Sequence, residues 1–199
     1  MSPMQRALGP DWSRLPPALQ AHHSSGQATD RGHMDIEYPS GMQPVMFVLA
    51  RLGALLSRKG RGVKTTVVKQ MIADRQHWRR TMEFADGRVL RFDSVWVPSG
   101  PGCFIEYVNP CLGLELRPVL VGRQLHFHGV RFVVQLGRWR LSLPQWLGPG
   151  STRIVEEAVD ERRFEMDFRL THPWFGQLFR YAGQFTTEVA RSGREEGHS

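Results

Sequence analysis

The sequence predicts an α+β fold dominated by antiparallel sheet: about nine or ten strands in a strongly curved sheet or incomplete barrel, preceded by two N-terminal helices. Three observations predict it. After Gly62 the apolar residues recur mostly with a period of two, the mark of strands with one buried face. The candidate strands are joined by short turns such as Asp86-Gly87 and Gly122-Arg123, too short for the crossover that a parallel pair needs. A sheet with so many strands and one apolar face has to curl around its core or close.

Pro3 to His22 reads as a short helical opening, with Leu8-Gly9-Pro10-Asp11-Trp12 as a turn and Pro16-Pro17 where a helix can begin. Gly26 to Tyr38 is extended and is closed by Pro39-Ser40-Gly41. Pro44 to Leu56 is the strongest helix in the chain. Proline suits its first turn, and Val45, Val48, Leu49, Leu52, Leu55 and Leu56 fall at helical spacing. Arg58, Lys59 and Gly60 supply the positive charge and the glycine that suit a helix C-terminus. Met46, Phe47 and Ala54 widen the apolar surface beyond one stripe. Such a helix is buried on most sides or rests against lipid, and here it is expected to pack across the open side of the sheet.

In the strand from Trp78, the side chains of Trp78, Arg80, Met82 and Phe84 alternate with Arg79, Thr81 and Glu83. The next strand, Arg88 to Val97, is expected to end in a loop at Pro98-Ser99-Gly100-Pro101-Gly102. Leu112, Leu114 and Leu116 share one face of another strand, and Gly122-Arg123 forms a tip into Gln124 to Gln135. The clearest strand is Arg163 to Leu170, with Phe164, Met166, Phe168 and Leu170 on one face and charged residues on the other. Arg153 to Val159 is its expected partner. Leu178 to Val189 is the last strand of a single domain over 1–190, and 191–199 reads as a disordered tail.

Composition excludes several classes. With 41% hydrophobic, 23% charged and 10% aromatic residues in 199, the chain is not disordered, collagen-like, a coiled-coil rod or a disulfide mini-protein. A chain of this length buries roughly 70% of its unfolded surface and needs no staple to fold. Cys103 and Cys111 lack the spacing and companions of a zinc site. The first twenty residues lack the apolar run of a secretory leader, and Pro44 to Leu56 is well short of the ~20 residues of a spanning helix. The expected location is cytoplasmic, at most peripheral to a membrane.

The net charge of +7 is concentrated. Between Arg58 and Arg91 ten basic residues face Asp74, Glu83 and Asp86 alone, so this stretch carries the whole excess. A local excess of that size attracts the phosphates of anionic lipid, although a solvated arginine-rich face is the commoner outcome. The stretch lacks the aromatic interleaving of single-strand platforms, so nucleic acid is not the expected partner.

Two groups of residues are candidates for chemistry. In His126-Phe127-His128 both imidazoles point to one face of a strand, but no third metal ligand stands near them in sequence. Asp93, Glu106 and Glu115 lie on neighbouring strands, where two of them would form an acid–base pair; each has an arginine (Arg80, Arg91 or Arg117) available for a structural ion pair instead. No Ser–His–Asp order or glycine-flanked nucleophile is present.

Several motifs occur together in a set order. They are Arg6-Ala7-Leu8-Gly9-Pro10-Asp11-Trp12 with Leu15-Pro16-Pro17-Ala18-Leu19, then Trp78-Arg79-Arg80-Thr81-Met82-Glu83-Phe84 and Arg91-Phe92-Asp93-Ser94. Leu143-Pro144-Gln145-Trp146-Leu147-Gly148-Pro149, Asp160-Glu161-Arg162-Arg163-Phe164, His172-Pro173-Trp174-Phe175-Gly176 and Tyr181-Ala182-Gly183-Gln184-Phe185 follow. From about Arg6 to Phe185 the chain thereby resembles a bacterial family, domain of unknown function 4166. The resemblance implies an accessory domain, found alone or fused behind saccharopine-dehydrogenase-like domains, and it brings no activity, cofactor or site residue with it. The chain has no Gly-x-Gly-x-x-Gly after a strand, so an oxidoreductase would be a separate partner.

Two functional readings follow. The first is binding of a hydrophobic small molecule or lipid within the curved sheet, by Trp78, Phe92, Trp96, Glu106, Leu114 and Leu116. Its mouth would face an anionic membrane surface through Phe47, Leu52, Arg58, Lys59 and Arg61. The second is an enzyme or an accessory subunit of an oxidoreductase, with Glu106, Asp93 or His126 as the acid–base group. Beyond these acid–base candidates no catalytic residue is assigned, and neither reading assigns a metal or a cofactor.

Overall fold

The structure, a computed structural model, describes residues 1–51, 53, 56–145 and 148–189. Its strands are β1 (Ala28–Glu37), β2 (Gly60–Ile72), β3 (Arg75–Glu83), β4 (Val89–Gly100), β5 (Cys103–Asn109), β6 (Leu112–Val121), β7 (Gln124–Leu136), β8 (Trp139–Leu143), β9 (Ser151–Ala158), β10 (Arg163–His172) and β11 (Gly176–Val189). The helices are α1 (Pro3–Leu8), α2 (Pro17–His23) and α3 (Gln43–Arg51), with a 3-10 segment at Gly9–Arg14 between the first two.

Every strand pairing is antiparallel, as short connections require. The pairing order β6-β5-β4-β3-β2-β1-β11-β10-β9-β7 returns to β6 through β7, so ten strands form a closed barrel rather than an incomplete one. Closure depends on β7 serving two partners on one edge. Gln124 to His128 pair with β9, whereas Phe132 to Leu136 pair with β8, the eleventh strand. Between these halves the register against β6 shifts at Glu115/Leu116, a bulge on β7.

Alternation puts Phe164, Phe168 and Leu170 inside, as the pattern predicts. The structure departs from expectation at two places. β4 runs on through Pro98 and Ser99 to Gly100, and Pro98 pairs with Phe104; a register shift between Pro98 and Gly100 accommodates the residue that cannot donate to the ladder. β8 was not anticipated, because Trp139 to Leu143 is exposed and lacks a buried alternation. Of the helix expected over Pro44 to Leu56, α3 is described over Gln43–Arg51; Leu52, Ala54, Leu55 and the tail 191–199 lie outside the described residues.

The two ends of the barrel differ. At one end α1 and α2 act as a plug. Gln5 N–H donates to Ser2 Oγ (3.1 Å), the Gln5 side chain accepts from Ser2 N–H (2.7 Å), and Ser2 Oγ–H donates to the His23 carbonyl (2.7 Å). Met4, Leu8, Leu15 and Leu19 join the core beneath this plug. At the other end α3 lies over the opening, with Met46 buried and Val45, Phe47 and Val48 exposed.

The wall is tightest where β1 meets β11. A Cβ on Gly32 would lie 2.0 Å from the Gln184 carbonyl oxygen and 2.8 Å from the Phe185 ring. Gly32→Ala is therefore expected to destabilise by about 1–3 kcal/mol, the usual range for overpacking, by urea denaturation. Gly41→Ala, at a position with nothing within 4 Å of the added carbon, is the near-neutral control.

Candidate functional site

The lumen is not filled. Beneath α3 lies an outer chamber with about 1000 Å³ of unfilled space, solvent at its mouth included. Its walls are apolar: Met34, Val67, Met82, Phe92, Phe168 and Phe179 among others, with Leu49 and Leu56 at the top. The ring of Tyr181 stacks on Phe168 at 4.6 Å. Val67, Arg80, Glu106, Met166, Tyr181 and Phe185 also border a smaller, deeper inner chamber, so the two share a wall.

At that shared wall the lining becomes polar. Arg80 donates to Ser94 Oγ (2.7 Å) and Glu106 Oε1 (3.0 Å), and Ser94 Oγ–H donates to the same carboxylate oxygen (2.7 Å). The Arg80 guanidinium lies 5.2 Å from the ring centres of both Trp78 and Phe92. Trp78 and Trp96 stack at 4.3 Å in the inner chamber, and their buried indole N–H groups meet no acceptor among the described residues.

The floor is an ionisable network supplied by α2, β1, β2 and β9. Lys69 Nζ lies 2.7 Å from Asp30 Oδ2 and donates to the His22 carbonyl at 2.6 Å. His22 Nδ1 approaches the same Asp30 oxygen at 2.9 Å, while Thr187 donates to Asp30 Oδ1 at 2.7 Å. His23 Nε2 meets Glu156 Oε2 at 2.6 Å across 133 residues of chain. Lys69, Asp30 and His23 are fully buried.

Burial opposes charge throughout; partners outweigh it at Glu156, Asp30 and His22, and it prevails at His23 and Lys69. For Glu156 the imidazoles of His23 and His22 outweigh burial and hold the carboxyl at about 2. For Asp30 burial is outweighed by His22 and Lys69, so its carboxyl lies well below the usual range. Burial pushes His23 down to about 4 and lowers Lys69. For His22 burial is outweighed by Asp30, and its pKa is raised.

The residues nominated from sequence divide. Phe92, Glu106 and Leu114 line the outer chamber, and Trp78, Trp96 and Glu106 line the inner one. Leu116 is fully buried in the core and lines neither. Among the acid–base candidates, Glu106 faces the lumen but Asp93 is on the exposed face of β4. Glu115 is held at the wall by Arg131 (2.6 Å) and Ser99 (2.8 Å). His126 and His128 share a face opposite to buried Phe127. There His126 contacts Gln124 (3.0 Å) and Arg153 (3.3 Å), and burial followed by Arg153 lowers its pKa. At the mouth, Phe47, Lys59 and Arg61 are exposed, and Arg58 is half-buried on Asp86 at 2.6 Å; Leu52 lies outside the described residues. Lys69 and Arg80, counted in the basic stretch, are inside the barrel.

The floor residues were not found from sequence. The signal available was parity: Lys69 falls on the same face of β2 as Val63, Thr65 and Val67, and Glu156 on the same face of β9 as Thr152 and Ile154. An ionisable residue at an inward position has to have a buried partner.

A family model described as Domain of unknown function (DUF4166) matches residues 15–185. The chain belongs to this family. No curated protein and no solved structure matches the chain. Within the DUF4166 match lie the wall from β1 to β10, all of α2 and most of β11, so the chambers and their floor are built from the family segment. No helix among the described residues is long and apolar enough to cross a membrane.

The floor of the DUF4166 barrel makes a sharp energetic prediction. Lys69→Met leaves the Asp30 carboxylate buried without its cation and is expected to cost about 3–5 kcal/mol. Adding Asp30→Asn is expected to recover a large part of that loss. Urea midpoints of the two single variants and the double variant measure the coupling; additive losses would contradict the pairing.

Proposed function

We propose that the barrel binds an elongated amphiphile, with its apolar chain in the outer chamber and its polar group toward the inner one. The observation that carries this reading is the unfilled, apolar-walled lumen under α3. A gradient along the lumen supports the orientation. Leu49 and Leu56 stand at the top, Arg80 and Glu106 at the shared wall, and the Trp78 and Trp96 N–H groups deeper. A buried N–H without an acceptor costs about 1–3 kcal/mol, so a ligand oxygen there would gain two waiting donors.

The mouth supports delivery from an anionic membrane surface. At this end of the barrel Phe47 and Val48 of α3, Trp139 at the start of β8, and Trp174 and Phe175 before β11 are all exposed. Exposed arginines and lysine (Arg51, Lys59, Arg61, Arg88, Arg138 and Arg140) occur at the same end. Aromatic side chains interleaved with basic ones suit the headgroup region, where each basic residue contributes about 1 kcal/mol.

Thr65, buried and lining the outer chamber, is the place to obstruct it. Thr65→Trp is expected to weaken a fluorescent fatty-acid probe by about tenfold or more while the circular dichroism spectrum is kept. A wild-type protein that does not bind the probe, or equal binding by both, would refute the pocket. In vesicle flotation the protein is expected to float with phosphatidylglycerol-containing vesicles and not with pure phosphatidylcholine. Phe47→Ser with Arg61→Glu is expected to reduce it. Equal behaviour with both vesicle types would refute the membrane part alone.

A further inference from the structure

The closed end of the lumen carries a donor set that an amphiphile pocket does not use. The Glu156 carboxylate on β9 is flanked by two imidazoles from the last turn of α2. His23 Nε2 is 2.6 Å from one oxygen and His22 Nε2 is 3.6 Å from the other. All three side chains are at most 5% exposed. One ligand atom from each lies within 4.8 Å of those of the other two.

His22 is held from its far side. Its Nδ1 is 2.9 Å from Asp30 Oδ2 and 2.8 Å from Lys69 Nζ, which leaves Nε2 turned toward Glu156. At 3.6 Å the pair of His22 Nε2 and Glu156 Oε1 is too long for a hydrogen bond. The same separation is close to that of two ligands each ~2.0–2.2 Å from one tetrahedral ion.

We propose that His22, His23 and Glu156 bind a divalent transition-metal ion of the zinc class, with Asp30 orienting His22 from behind. Two imidazoles and one carboxylate suit Zn²⁺ or Co²⁺ rather than Ca²⁺ or Mg²⁺, which take oxygen ligands. Lys69 balances Asp30 and leaves the Glu156 carboxylate to the ion. Binding opens the short His23–Glu156 contact, and the proton of the neutral imidazole moves from Nε2 to Nδ1, which has no partner among the described residues. Three protein ligands leave a fourth position. His22 and Glu156 both line the inner chamber, so that position opens on the lumen beside Trp78 and Trp96. The proposal stands independently of the amphiphile reading, because it concerns the floor alone.

The test is titration of chelator-treated full-length protein with Co²⁺. One equivalent per chain is expected, with the intense visible absorption of tetrahedral Co²⁺, displaced by Zn²⁺. Glu156→Gln is expected to weaken binding by more than the roughly 10–100-fold that loss of an outer-shell partner costs, and His126→Gln to leave it unchanged. If Glu156→Gln does not fold, X-ray absorption at the zinc edge of the wild-type protein decides, two imidazoles with oxygen ligands being the expected shell. Absence of stoichiometric uptake, a shell of oxygen alone or containing sulfur, or uptake lost in His126→Gln but kept in Glu156→Gln would overturn the site.

Discussion

The width of a ten-strand circuit is the constraint on which the rest of this structure depends. Eight strands enclose an interior that side chains just fill, and each added strand widens it. Ten strands close here because β7 changes partner from β9 to β8 part-way along its length. The inward residues are large, with Trp78, Trp96, Phe104, Phe127, Phe164 and Phe179 among them, and still leave the lumen unfilled. Hollow space follows from strand number rather than from any single small residue.

The two ends meet that constraint differently. At the plugged end α2 enters and stacks its histidines among aromatic rings, His22 on Phe164 at 4.2 Å and His23 on Trp96 at 5.7 Å. Backbone and side-chain groups that enter with the helix have to be satisfied in a dry environment, and Asp30, Lys69 and Glu156 do so from three different strands. At the mouth α3 covers the opening from outside, contributing Leu49 to the chamber while exposing Phe47 and Val48. A single short helix thus presents apolar surface on two sides, which a fully buried core helix would not.

The architecture was legible wherever the pattern was local. Period-two alternation identified β10, and Asp86-Gly87 and Gly122-Arg123 marked the turns that open at positive φ of 82° and 61° at their glycines. The greasy segment from Pro44 was legible for the same reason, its spacing being complete within a dozen residues. Pro98 misled, because proline is a strong turn signal and its acceptance in a strand depends on a register shift against β5 that no local pattern encodes. The floor of the site was hidden by distance: Glu156 meets His23 across 133 residues and Lys69 meets His22 across 47. Lys69 also sat within a basic run, where its charge counted as surface until parity on β2 placed it inside. Trp78, Trp96 and Glu106 were accessible to sequence reasoning because alternation alone turns them inward.

The proposed amphiphile site depends on a hollow with an apolar mouth and a polar floor. The most direct measurement is a crystal structure at high resolution of protein purified from cells without lipid extraction, read for density in the lumen. Continuous elongated density from beneath Leu49, past Phe168 and Tyr181, toward Trp78 is the predicted result. A lumen closed by repacked side chains, or holding separate ordered waters alone, would contradict it.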